Sequence, residues 1–128
     1  MSDYPNDRYY SEEHEWVQAD GDEVVIGITN FAQDELGDVV FVELPEVGRE
    51  VEANEEMGTI ESVKAVAELF SPLGGTITGV NSKVEEAPEL LNDSPHEEGW
   101  LIRMTPEDPQ AVEALMDAAT YEDYVQSS

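Results

Sequence analysis

A chain of 128 residues with 40% hydrophobic content is enough for one compact domain with a modest core, and it leaves little room for a second. Its 31 Asp and Glu against 5 Lys and Arg give a formal net charge of -26, which repels phosphate backbones and anionic membranes and offers nucleic acid no basic patch. With no cysteine, there is no disulfide, thiol nucleophile or cysteine-ligated metal, so any redox chemistry has to arrive on an attached or borrowed group.

Self-repulsion on this scale is relieved at molar salt, where the screening length falls to roughly 3 Å. The composition therefore points to a salt-adapted organism. Periodic apolar segments and two tryptophans argue against a chain disordered throughout. No apolar run approaches the roughly 20 residues of a membrane span, and Met1-Ser2-Asp3-Tyr4 lacks a basic-then-apolar signal pattern, so a soluble cytoplasmic protein is expected.

Residues 1–8 read as a loose acidic tail, and residues 9–128 as a single domain. Short apolar runs at residues 15–18 and 23–28 flank Ala19-Asp20-Gly21-Asp22, where Asp-Gly is a favoured hairpin turn. Asn30 and Gln33 stand at capping-box spacing ahead of a short helix, with Gly37 where a C-terminal cap falls. From Val39 to Val80 strand-like runs alternate with Gly, Pro and Asn, the text of an all-β sandwich or barrel. Gly37-Asp38-Val39 and Val42 are echoed as Gly75-Thr76-Ile77 and Val80, a hint of two similar halves. Gly99-Trp100-Leu101-Ile102-Arg103-Met104 reads as a closing strand. Asp108 and Pro109 then open a C-terminal helix over about 109–118, whose apolar stripe is Ala111, Val112, Leu115 and Met116.

Enzyme constellations are missing from this text. There is no phosphate loop, dinucleotide-type glycine pattern or Gly-x-Ser-x-Gly elbow, and His14 and His96 have no histidine or cysteine company that would make a metal site. Adjacent acids such as Glu12-Glu13 and Glu55-Glu56 are expected by chance at this composition and read as solvated surface. No residue is assigned a catalytic or metal-binding role. The two lysines say more. Lys83 follows Asn81-Ser82 and reads as a residue of a polar loop. Lys64 lies in Glu61-Ser62-Val63-Lys64-Ala65, between two strand-like arms that set its amine at the tip of a tight turn. A carrier lysine needs that geometry, because a modifying enzyme must reach the amine and the finished arm must then swing freely. An ordinary solvated turn lysine has the same local pattern, so spacing alone does not name a cofactor.

His14-Glu15-Trp16-Val17, Gly27-Ile28-Thr29, Leu36-Gly37-Asp38-Val39-Val40-Phe41-Val42-Glu43-Leu44-Pro45, Glu61-Ser62-Val63-Lys64-Ala65-Val66, Pro88-Glu89-Leu90-Leu91-Asn92 and Gly99-Trp100-Leu101-Ile102 occur in one order. Over about residues 9–120 this combination resembles the glycine cleavage H-protein family. The resemblance implies a mainly β fold, the flattened barrel or sandwich of two similar halves found in lipoyl and biotinyl carriers, with a short helix in the N-terminal half and a C-terminal helix. It implies a non-catalytic carrier with lipoate joined by an amide to Lys64, and Glu61, Ser62, Val63 and Ala65 as the context read by the lipoate-attaching enzyme. Its partners would be glycine decarboxylase (P protein), aminomethyltransferase (T protein) and dihydrolipoyl dehydrogenase (L protein). The arm would take the aminomethyl group of glycine from the first to the second and be reoxidised by the third.

Glu15 and Glu68 match positions where the family sets acids against the loaded arm, whose amine is cationic near neutral pH. Glu13 stands where a small hydroxyl residue is common, and His96 where an aromatic is common; both are departures. The lipoyl domains of 2-oxoacid dehydrogenases and biotin carriers resemble the same fold, but they usually carry Asp-Lys-Ala or Met-Lys-Met where this chain has Val63-Lys64-Ala65. An unmodified interaction module, or a relay passing lipoate to other enzymes, is the alternative from another class.

Overall fold

The computed structural model describes residues 4–127. Among the described residues, nine strands form two antiparallel sheets, as the punctuated apolar runs anticipate. The larger sheet has the order β1-β2-β3-β9-β8-β5, from β1 (Tyr9–Tyr10), β2 (Glu15–Asp20), β3 (Glu23–Ile28), β9 (Ile102–Pro106), β8 (Gly75–Val80) and β5 (Glu50–Val51). The smaller, β4-β6-β7, comprises β4 (Val39–Glu43), β6 (Glu56–Ser62) and β7 (Val66–Phe70). The echoed segments at Val39 and Ile77 thus belong to different sheets, one of three strands and one of six.

Alternation determines which side chains meet between the sheets. Val24 and Ile26 from β3, Val42 from β4, Ile60 from β6, Leu69 from β7, Ile77 from β8 and Ile102 and Met104 from β9 are buried in one cluster. Burying a side chain of this size contributes roughly 1.5–3 kcal/mol, so this shared layer holds the sheets together. Asp20-Gly21-Asp22 makes the β2–β3 turn, with Gly21 at φ 65, where a glycine has no Cβ to strain.

Helix α1 (Asn30–Leu36) starts one residue earlier than capping-box spacing suggests. Thr29 is its N-cap and accepts from the Ala32 N–H, while Asn30 accepts from the Gln33 side chain. His96 Nε2 accepts from the Asn30 N–H, so the residue that departs from the aromatic common at its position satisfies the helix start. Lys83, expected in a polar loop, lies in α2 (Ser82–Glu86), for which Asn81 is the N-cap; α3 (Leu90–Asp93) follows.

Two terminal segments differ from expectation. Residues 1–3 of the tail lie outside the described residues, but the chain from Tyr4 onward packs. Arg8 is buried, its guanidinium 4.6 Å from the Trp16 ring centroid and donating to the His96 carbonyl at 2.6 Å. The single helix expected at about 109–118 is instead a 3-10 turn, Pro109–Ala114, followed by α4 (Ala118–Gln126). Asp108 does cap the first piece, but Met116 is drawn into a bridge with Tyr10, exchanging N–H to carbonyl bonds of 2.7 and 2.9 Å. Extended backbone there is incompatible with helix, and Asp117 starts α4 afresh by accepting from the Thr120 N–H. Tyr121 of α4 stacks on Tyr10, with ring centroids 4.8 Å apart.

Gly37 ends α1 at φ 78 and ψ -155, a backbone region that is essentially glycine's alone. Gly37→Ala is expected to lower the unfolding free energy by about 1–3 kcal/mol in urea denaturation; unchanged stability would show that this junction readjusts freely.

Candidate functional site

The β6–β7 hairpin carries Lys64 at its tip. Register runs from Glu56 opposite Phe70 to Glu61 opposite Val66, leaving Val63, Lys64 and Ala65 outside the ladder. Their backbone is nevertheless satisfied. The Ser62 hydroxyl accepts from the Ala65 N–H at 3.1 Å and the Lys64 N–H at 3.4 Å, the Ser62 N–H donates to the Ala65 carbonyl at 2.8 Å, and the Val63 N–H donates to the Asp38 carbonyl at 3.0 Å. Of the residues quoted around the lysine, Ser62 therefore shapes the turn, while Glu61 sits in the ladder between Phe41 and Val66.

Lys64 itself is exposed. Arg8, Arg49 and Arg103 each form an ion pair, whereas among the described residues neither lysine does, despite the abundance of carboxylates. The Lys64 stem passes over Gly37, its Cε 3.2 Å from where a Cβ on that residue would stand. Val63 and Val66, 70% and 66% exposed, flank the lysine, and exposed Val40 and Phe41 stand on the adjoining strand β4. Four of the exposed large apolar side chains thus crowd one end of an otherwise acidic protein.

Beside this tip lies a cleft of about 680 Å³ between α1, β7 and the loop that enters β2. Ile28, Phe31, Ala32, Leu36, Ile60 and Leu69 give it apolar walls, and Glu13, Glu15, Glu35 and Glu68 bring carboxyl groups to it. Leu36 precedes Gly37, so the residue beneath the lysine stem is joined to one lining the cleft. The three acids singled out in the sequence, Glu13, Glu15 and Glu68, share this one cavity. Sequence reading missed Phe31, Glu35 and Leu36, although their spacing with Ala32 marks one face of α1. His14, which has no metal-site company in the sequence, lines the same space.

The carboxyl groups are not equivalent. Glu13 and Glu68 are exposed, but Glu15 is 2% exposed. It opens β2 opposite Ile28, and the loop before it turns back sharply: the Ser11 N–H donates to the Glu15 carbonyl at 2.9 Å, and the Ser11 hydroxyl donates to Glu15 Oε1 at 2.6 Å. Burial pushes the Glu15 carboxyl up to about 8, against the opposing effect of the Ser11 hydrogen bond, with the nearby Glu13 charge adding to the rise. His14 has φ 68, rare for a residue with a Cβ; its Nδ1 lies 2.7 Å from the Tyr121 hydroxyl, which also meets Thr29 Oγ1 at 2.8 Å. Burial shifts this imidazole toward its neutral form.

Comparison with known proteins follows the same outline. The family described as glycine cleavage H-protein matches residues 8–128. The chain is 54% identical over 125 residues to the glycine cleavage system H protein of Halalkalibacterium halodurans, covering 98% of each, and 52% identical over 122 residues to that of Bacillus subtilis, covering 95% and 96%. A crystal structure of a glycine cleavage system H protein from Mycobacterium marinum superposes with a TM-score of 0.85 at 39% identity, covering 97% of this chain and 98% of that one.

A carboxyl group with a raised folded-state value favours the folded state fully only below its unfolded value near 4.5, and that contribution is lost as pH climbs through about 8. Glu15→Gln retains a neutral, similarly shaped side chain at every pH. Denaturation curves should show the variant and the wild type close together near pH 4.5, with the variant gaining an advantage on the order of 4 kcal/mol above pH 8. Parallel curves across this range would contradict the assignment.

Proposed function

The chain belongs to the glycine cleavage H-protein family, and on that premise we propose that Lys64 is the residue to which its lipoate is joined. The H protein is the lipoyl carrier of the glycine cleavage system: it bears lipoate covalently on a lysine, works with the P, T and L proteins, and is not itself catalytic.

One observation carries the assignment of Lys64. Among the described residues its amine has no ion-pair partner; it stands at the tip of a turn held by Ser62, and its stem lies on Gly37 at the edge of the cleft. The only other lysine, Lys83, stands in the short helix α2, away from any such turn. Glu61, Ser62, Val63 and Ala65 are then the residues that a lipoate-attaching enzyme reads around the amine, and the exposed Val63, Val66, Val40 and Phe41 offer partner enzymes an apolar footing at the same place. Among the described residues no helix is long and apolar enough to cross a membrane.

The cleft fits the group chemically. Lipoate supplies a dithiolane that accepts the aminomethyl group left by glycine decarboxylation, gives it up to the aminomethyltransferase and is restored to the disulfide by the dehydrogenase. Phe31, Leu36, Ile60 and Leu69 provide apolar walls for the arm's hydrocarbon and keep water from its end. Glu15, with Glu13 and Glu68 nearer the surface, supplies acceptors for a cationic amine; Glu13 fills the position where a small hydroxyl residue is common, while Ser11, two residues earlier, brings a hydroxyl to the Glu15 carboxyl.

The acidic surface belongs to the same reading. With a net charge of -26, the carrier suits a salt-rich cytoplasm, where its self-repulsion is screened.

Two experiments test these assignments. In a glycine cleavage system reconstituted with lipoylated H protein, Lys64→Ala should abolish glycine-dependent exchange of carbon dioxide, whereas Lys83→Ala should retain it. Activity surviving in the first and lost in the second would transfer the role to Lys83. For the surface, the melting temperature should climb as salt goes from the millimolar to the molar range, and a flat profile would refute salt adaptation.

A further inference from the structure

Glu15 presents a problem that holding a cation does not by itself explain. Its carboxyl is almost fully enclosed, yet the groups that hydrogen-bond to it, the Ser11 hydroxyl and the Phe70 backbone N–H, are neutral and cannot balance a charge. The ionisable groups brought toward it by every neighbouring element are of no help. Glu13 comes from its own loop, Glu35 from α1 and Glu68 from β7, all acids; His14 is engaged with Tyr121, and Tyr121 reaches in from α4 with a neutral hydroxyl. No Lys, Arg or His nitrogen lies within 4 Å of the Glu15 carboxyl among the described residues. An ionised Glu15 in this setting would be a buried charge amid like charges.

We infer that Glu15 is a neutral carboxylic acid while the cleft holds no cation, and that it releases its proton to solvent when the cationic amine of the loaded arm enters. This deepens the reading of Lys64 as the lipoyl lysine and rests on it. The exchange balances: a carboxylic acid in the cleft and an ammonium in water become a carboxylate–ammonium pair in the cleft and a proton in water. Only the O–H bond of Glu15 is broken, and nothing is oxidised or reduced. The raised carboxyl value, about 8, is consistent with such a resting state at neutral pH.

The consequence is selectivity between states of the arm. An arm without cargo is uncharged and gains no ion pair from a neutral Glu15, so it is held only by the apolar walls. An arm with cargo brings the counter-charge that makes ionisation favourable, and the resulting charge-assisted hydrogen bonds are about twice as strong as neutral ones. One residue therefore distinguishes cargo from no cargo by charge, and capture becomes linked to pH, weakening as the medium grows more acidic and the acid holds its proton more firmly.

The experiment uses full-length lipoylated protein labelled with carbon-13 at the glutamate carboxyls, with the Glu15 signal identified by its loss in Glu15→Gln. Without cargo, that signal should sit at the protonated position at pH 7 and titrate above the other glutamates; after loading with the aminomethyl group it should move to the ionised position at the same pH. A Glu15 signal already ionised without cargo, or one that loading leaves unmoved, overturns the inference. Glu15→Gln should also shorten the lifetime of the loaded form against hydrolysis by about tenfold or more, and an unchanged lifetime counts against it. Peptide mapping of the same samples locates the arm independently. An arm on Lys64 with Glu15 ionised throughout defeats the proton exchange alone, whereas an arm on Lys83 with Glu15 unmoved by loading defeats both readings.

Discussion

The turn at residues 62–65, which presents Lys64, depends on the Ser62 hydroxyl. An exposed hairpin tip normally leaves its amides to water and frays, but here the one hydroxyl accepts from both Lys64 and Ala65. The Asp38 carbonyl takes the Val63 N–H from outside, tying the tip to the segment between α1 and β4. Gly37 belongs to that same segment, so the residue that ends α1 also gives the lysine stem its resting surface. The amine projects from a tip whose backbone is held.

The same helix has a second task. Its start is held by Thr29 and His96, its end by Gly37, and the face between lines the cleft. Both ends are therefore fixed by side chains and glycine geometry, since a helix of two turns has little intrinsic stability. On the opposite wall, β7 runs directly from the turn to Glu68 and Leu69. A group attached at the tip needs no long route to reach apolar walls and carboxyl groups. That arrangement supports a carrier in which the covalently bound group performs the chemistry while the protein decides when it is exposed.

Much of this was legible in the chain because it follows local rules. Asp20-Gly21 demanded a tight turn between alternating strands, and the break in alternation at Val63-Lys64-Ala65 exposed a lysine wherever the strands packed. The C-terminal segment misled because Ala111, Val112, Leu115 and Met116 have helical spacing, while the decisive partner of Met116 is Tyr10, more than a hundred residues away. Arg8 was unreadable for the same reason: in an acidic segment it looked solvated, and only Trp16 and the His96 carbonyl explain its burial. At the site, sequence could place Glu13, Glu15 and Glu68 only by resemblance, and gave no way to rank them. Their difference comes from the backward turn of the Ser11 loop and the burial of a single carboxyl, both products of tertiary structure.

The central claim is that this chain carries its cofactor on Lys64, and intact-mass measurement with peptide mapping on protein isolated from its native host tests it most directly. The account predicts a lipoyl adduct on the peptide that contains Lys64 and an unmodified peptide around Lys83. A lipoyl adduct on Lys83, a biotin adduct, or no adduct from lipoate-replete cells would contradict it.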